Sequence, residues 1–140
     1  MALTVEDHLE IEQLAARYNL AIDLGDAQGW AECYTEDGEF RTEPGGPWSE
    51  SRGMTRLAVQ GQAELLAFAD AVTAGGKVRH WSTNRVVTQT ADGARAVSYM
   101  TVFVLTGPRA DEFLTGVMED ELVHTNDGWR FRRRSIEFDR

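Results

Sequence analysis

The chain has 140 residues, 42% hydrophobic and 26% charged, enough apolar material for one packed domain (1–140) and the wrong balance for a disordered or collagen-like polymer. Its net charge of -9, from 23 acidic against 14 basic residues, argues against nucleic acid as a partner, because phosphate binding needs a basic face. One cysteine, Cys33, forbids an intrachain disulfide and suits a reducing compartment.

The first residues carry Glu6, Asp7, Glu10 and Glu12, where a secretory signal would need a basic start and an apolar run. No stretch reaches the length of a membrane span, so a cytoplasmic protein without a membrane partner is expected. Thr4-Val5-Glu6-Asp7 has the form of a capping box. Leu9, Ile11, Leu14, Tyr18, Ala21 and Ile22 then recur at roughly helical spacing, which predicts a helix over Val5–Leu24 closed by Gly25. Asp26 caps a shorter helix through Trp30 to Cys33. Thr35-Glu36-Asp37-Gly38 reads as a turn before a short strand, Glu39–Thr42. Glu43 to Gly53 holds Pro44-Gly45-Gly46-Pro47 and then Trp48-Ser49, the punctuation of a loop whose tryptophan either covers a pocket or packs on the core. A third helix is predicted over Gly61–Val72, stopping at Gly75-Gly76.

From Val78 the pattern alternates. Four long strands are predicted at Val78–Thr90, Ala94–Thr106, Glu112–Thr125 and Trp129–Phe138, with turns at Ala91-Asp92-Gly93, Gly107-Pro108 and Asn126-Asp127-Gly128. Helices followed by antiparallel strands make an α+β fold with segregated layers. Strands this long need strong curvature. A curved sheet closed over by the first helix forms a cone with an internal cavity, the kind of place where small ligands bind.

Three stretches carry a family resemblance: Tyr18 to Asp26 with Trp30 soon after; Arg79-His80-Trp81-Ser82-Thr83-Asn84 with Asp92-Gly93 and Ser98-Tyr99; and Thr115-Gly116, Asp120 and Asp127-Gly128-Trp129-Arg130 leading into arginines. In this order they resemble the SnoaL-like branch of the nuclear transport factor 2-like superfamily. The resemblance implies a cone with its pocket between helix one and the sheet, and usually a homodimer or homotrimer. The motifs are similar to those of scytalone dehydratase, hexachlorocyclohexane dehydrochlorinase and bile acid dehydratase. There a strand histidine, oriented by an aspartate at the end of helix one, removes a proton; the matching positions are His80 and Asp23. Tyr18 matches a helix-one tyrosine of the bile acid dehydratase pattern, and Arg134 sits where dehydrochlorinase-like relatives carry a pocket arginine. Other members are polyketide cyclases, steroid isomerases and dioxygenase small subunits, so the fold does not fix the function.

The residues themselves suit acid–base work. An imidazole can take and give a proton near neutral pH, and a carboxylate on its other nitrogen fixes the tautomer and stabilises the imidazolium. Asp23, one residue after Ile22 on an amphipathic helix, is costly to bury unless paired; capping the next turn is its plainer role, with His80 packed beside Trp81. Tyr18 either aims its phenol into the cavity or is a core aromatic. Asn84 shares strand parity with His80 and is a candidate to orient substrate or water. Tyr99 is a candidate wall residue, although parity leaves open whether the Tyr99, Thr101, Phe103 face or the Ser98, Met100, Val102 face lines the cavity. The orientations of Trp48, Trp81, Phe68 and Phe113 would set the pocket's size. Arg130, Arg132, Arg133 and Arg134 also read as a solvated face paired with Glu119, Asp120 or Glu121. The leading expectation is a cofactor-independent lyase or isomerase, dehydratase-like or polyketide cyclase-like, acting on a small hydrophobic cyclic molecule and using no metal. The alternative is a ligand-binding or accessory subunit of the same fold.

Overall fold

Thr4 opens the first helix as its capping box predicts. The Asp7 amide donates to the Thr4 hydroxyl at 3.1 Å, and the Thr4 amide donates to the Asp7 carboxylate at 2.8 Å. Helix α1 spans Val5–Leu24 and ends on Gly25 at φ 83°, the left-handed conformation glycine adopts without strain. The computed structural model describes residues 2–43, 46–51, 53 and 56–139. The predicted loop's Pro44 and Gly45 lie outside the described residues, and so does the side chain of Trp48.

Helix α2 (Ala27–Ala31) follows at once, capped by Asp26, which accepts from the Gly29 amide at 2.9 Å. Strand β1 (Tyr34–Thr42), the one-turn helix α3 (Pro47–Glu50), strand β2 (Leu57–Gln60) and helix α4 (Gln62–Ala74) come next. Strands β3 (Val78–Gln89), β4 (Ala94–Thr106), β5 (Arg109–Thr125) and β6 (Gly128–Phe138) complete the chain. The strand order is β2-β1-β6-β5-β4-β3.

The architecture is α+β, helices packed on a curved open sheet, and it differs from the prediction at α3 and β2, which were not foreseen, and in two further ways. The sheet is mixed, because β1 runs parallel to β6. A parallel pair needs a long crossover, and here everything from α3 to β5 intervenes. The predicted turn at 35–38 is instead an irregularity inside β1: Tyr34 pairs with Phe131 and Glu39 with Arg133, so five residues advance against two.

Strand faces are resolved by burial. On β4 the side chains of Ala94, Ala96, Ser98, Met100 and Val102 are buried, and this face meets the helices. Tyr99, Thr101 and Phe103 alternate to the outer face, where Tyr99 is 56% exposed. Trp81 and Phe113 are exposed there too, with Trp81 and Phe103 rings 4.7 Å apart. Under the helices, Tyr18, Trp30, Tyr34 and Phe131 form a ring cluster with centroid separations of 5.2 to 5.9 Å. Edge-to-face and tilted contacts at these distances add to the area they bury. Among the described residues, no helix is long and apolar enough to cross a membrane.

Candidate active site

Helix α1 is latched to edge strand β3 by polar side chains on one stripe. Glu12, Asn19 and Asp23 follow helical spacing, and each reaches across: Arg85 to Glu12 at 2.7 Å, Asn19 to Ser82 at 2.9 Å, and His80 to Asp23. The chain directions oppose, so the helix end meets the strand start. That is what brings Asp23 beside His80.

The Asp23 carboxylate grips His80 twice. Its Oδ2 accepts from the His80 amide at 2.9 Å, and its Oδ1 lies 2.5 Å from Nδ1. A carboxylate only accepts, so Nδ1 carries the hydrogen, and Nε2 is the ring nitrogen left for a ligand. The two side chains are 16% and 7% exposed, sheltered but reachable.

His80 lines a cavity of about 300 Å³, at the small end of the range of about 300–1,000 Å³ usual for small-molecule pockets. Its floor is Met100, Val102 and Val104 of β4, Leu114 of β5 and Ile136 and Phe138 of β6. Its roof is Tyr18 and Ile22 of α1, Trp30 of α2 and Phe68 and Val72 of α4. Beside His80, the lining residues with a polar side-chain group are Tyr18, Trp30 and Thr42, and no Lys, Arg, Asp or Glu is among the described lining residues. A second cleft, of about 360 Å³, is lined by Arg17, Glu32, Cys33 and Arg130 among others and holds neither His80 nor Asp23.

Tyr18 reaches this cavity, and its hydroxyl lies 3.1 Å from that of Tyr34. Burial raises the Tyr18 phenol to about 12 despite the nearby Arg134 charge, and burial likewise pushes Tyr34 well above its ordinary value. At neutral pH both stay protonated, so Tyr18 is a donor and not a phenolate.

Arg134 is inside the molecule. It stands opposite Asp120 in the β5–β6 register, is 0% exposed, and binds that carboxylate through Nε at 2.7 Å and Nη2 at 2.8 Å. Its guanidinium carbon sits 4.3 Å from the Tyr18 ring centroid and 4.0 Å from that of Phe131. Burial alone would weaken its charge, but the Asp120 carboxylate outweighs that and holds it above its ordinary value. Arg134 does not line the cavity; it backs Tyr18 from below. The solvated pairing foreseen for the arginine run describes Arg133 with Glu121, while Arg132 is solvated but pairs with Asp92, outside the foreseen partners.

Two candidates stand elsewhere. Asn84 occupies a bulge, where Thr83 pairs with Tyr99 but Val86 with Val97, and it takes φ 59°. The extra residue breaks the parity with His80, and Asn84 is exposed. Asparagine tolerates this left-handed geometry better than most residues, which gives Asn84 a backbone role. Tyr99 lies on the outer face, off the cavity, because the inner face of β4 is the Ser98, Met100, Val102 one.

Several site neighbours escaped prediction. Asn19 precedes Asp23 by one helical turn and Ser82 follows His80 by two strand positions, so helix and strand periodicity could have found them. Tyr34 could not be found that way, because the irregularity between it and Glu39 breaks the alternation of β1, whereas Thr42 alternates with Phe40 on the buried face of the predicted strand. Among the described residues, no group of three His, Cys, Asp or Glu converges in a way that could hold a metal.

Comparison with known proteins agrees with this fold. The model of a family described as "SnoaL-like domain" matches residues 3–135. No curated protein matches the chain. Among solved structures, a protein of unknown function from Mycobacterium tuberculosis is 28% identical with TM-score 0.82, over 98% of this chain and 79% of that one. A protein of unknown function with a cystatin-like fold from Nostoc punctiforme is 26% identical with TM-score 0.81, over 99% and 96%. A Novosphingobium aromaticivorans protein named as a candidate scytalone dehydratase superposes with TM-score 0.79 over 97% and 86%, but at 18% identity it speaks for the fold alone.

Proposed function

The chain belongs to the SnoaL-like family, and we propose that it is a cofactor-independent lyase or isomerase, of dehydratase or polyketide cyclase type, acting on a small cyclic molecule. The observation that carries this reading is one contact: a cavity-lining histidine whose Nδ1 is held at 2.5 Å by a sheltered carboxylate. In this reading Nε2 of His80 takes a proton from a C–H next to a carbonyl or similar activating group. Asp23 keeps the ring in the right tautomer and stabilises the imidazolium as it forms. With Tyr34 donating to Tyr18, the Tyr18 hydrogen is free to meet the substrate oxygen on which charge develops. The described lining residues carry no Lys, Arg, Asp or Glu, which favours a neutral substrate, since a charge brought beside them would find no ionic partner among them.

The test is deuterium uptake α to the carbonyl of cyclic ketones, followed by NMR. The native protein should accelerate uptake for at least one ketone, and His80→Gln should lose about 10²–10⁴-fold of that rate, the usual worth of a positioned base. Uptake at the native rate in His80→Gln would sink the proposal.

A binding or accessory subunit is the second reading. The observation that favours it is the outer sheet face, where Trp81, Tyr99 and Phe113 are 61%, 56% and 66% exposed. A homodimer or homotrimer would cover the same surface, so a measured mass separates self-association from docking on another protein.

A further inference from the structure

The cavity has a second polar pole. Thr42 lines it from β1, and His80 lines it from β3. Three strands, β6, β5 and β4, stand between them in the sheet, so the two groups face each other from opposite walls of the curve. Thr42 is 4% exposed and its Oγ1 lies 3.2 Å from Oγ of Ser49, itself 0% exposed. All the floor between the poles is aliphatic, thioether or aromatic.

The backbone holds this pole in place. Thr42 pairs with Leu57 on one side and Ile136 on the other. The Glu43 amide donates to Ile136 O at 2.8 Å, and the Glu50 amide closes the one-turn helix onto Gly46 O at 2.8 Å. Gly46 lies so close to the cavity-lining Phe138 that a Cβ there would come within 2.4 Å of its ring. Ser49 is therefore seated by main-chain packing, and valine would fill the place of Thr42 equally well in a strand. Two buried hydroxyls add no stability over an apolar pair of the same shape. Their polarity needs a ligand to explain it.

We propose that the Thr42/Ser49 hydroxyl pair is the specificity-determining anchor of this cavity, binding a second, uncharged oxygen of the substrate at the end remote from the C–H that His80 attacks. The bond between the two hydroxyls uses one hydrogen, and the other hydrogen and the remaining lone pairs can serve a ligand. The pair can thus donate to a carbonyl or accept from a hydroxyl. A carboxylate would arrive there without a cation among the described lining residues. The substrate class is a neutral ring system oxygenated at both ends. This rests on the proposed acid–base function for its orientation, but its test is a binding ratio that does not need turnover.

The probes are α-tetralone and its 6-hydroxy derivative, titrated calorimetrically into the native protein, Thr42→Val and Thr42→Ser. The native protein and Thr42→Ser should bind the hydroxylated ketone about five- to tenfold more tightly than the plain one, the worth of one hydrogen bond. Thr42→Val should bind both ketones equally, with unchanged affinity for the plain one. The proposal is overturned if the native protein shows no preference or binds neither ketone. It is equally overturned if the preference survives in Thr42→Val, or if that variant weakens both ketones alike. Deuterium uptake by the same samples keeps the two readings apart: absent uptake with an intact binding ratio removes the base and leaves the anchor.

Discussion

Two carboxylates pair with a basic side chain at helix α1, Asp120 beneath it with Arg134 and Asp23 on it with His80, and the two pairs differ in what surrounds them. Asp120 and Arg134 are sealed, 1% and 0% exposed, with two hydrogen bonds between them and aromatic rings on the guanidinium. Asp23 and His80 are 7% and 16% exposed, and His80 borders an open cavity. The sealed pair spends both carboxylate oxygens on Nε and Nη2, leaves Nη1 buried without a hydrogen-bond partner among the described residues, and has no route to a ligand. The bordering pair has one ring nitrogen unspent. Similar chemistry thus serves architecture in one place and offers reactivity in the other, and access decides which.

The largest effect that follows is on stability. Arg134→Met leaves Asp120 as a buried carboxylate without its cation and should cost about 3–5 kcal/mol in chemical denaturation. Converting both partners to apolar residues should recover much of that, because the desolvation cost goes with the charges. His80→Gln should behave in the opposite way, losing proton transfer while shifting stability by about 1 kcal/mol or less. If both variants lost stability equally, the contrast between the pairs would be empty.

Alkaline pH gives a smaller and graded effect. Burial raises Cys33 from 9.0 to about 11 and Tyr18 from 10.0 to about 12. Both hold their protons more tightly folded than unfolded, so their contributions are fully present below the unfolded values and are lost as pH rises. Unfolding free energy should fall from about pH 9 to 11 through Cys33 and from about 10 to 12 through Tyr18. Cys33→Ala should remove the earlier part of that fall in a series of denaturant melts. Smallest of all, Tyr99→Ser on the outer face should change stability by no more than about 0.5 kcal/mol and leave ligand binding in the cavity unaltered. Loss of binding there would overturn the assignment of inner and outer faces.

How far the sequence could be read follows the range of the interactions. The capping box at Thr4 and the apolar spacing along α1 are local signals, and the helix lies over Val5–Leu24 as predicted. The hairpins from β3 to β6 are nearly local and also match in outline. The parallel pairing of β1 with β6 joins segments nearly a chain apart, and four-residue β2 has too short a pattern to stand out. At the site, Asp23 and His80 were legible through resemblance and residue chemistry. Asn84 misled because a one-residue bulge inverts strand parity. Tyr99 misled because both faces of β4 are largely apolar, one buried under helices and one carrying exposed aromatics. Ser49 was illegible because its position depends on main-chain packing against Phe138.

The central claim is that Asp23 holds the hydrogen on Nδ1 of His80 and leaves Nε2 bare toward the cavity. A long-range proton–nitrogen NMR correlation of the histidine rings near neutral pH, in the native protein and Asp23→Asn, tests it directly. The account predicts the Nδ1–H tautomer for His80 in the native protein and its loss in Asp23→Asn. An Nε2–H tautomer in the native protein, or one pattern shared by both, would contradict it.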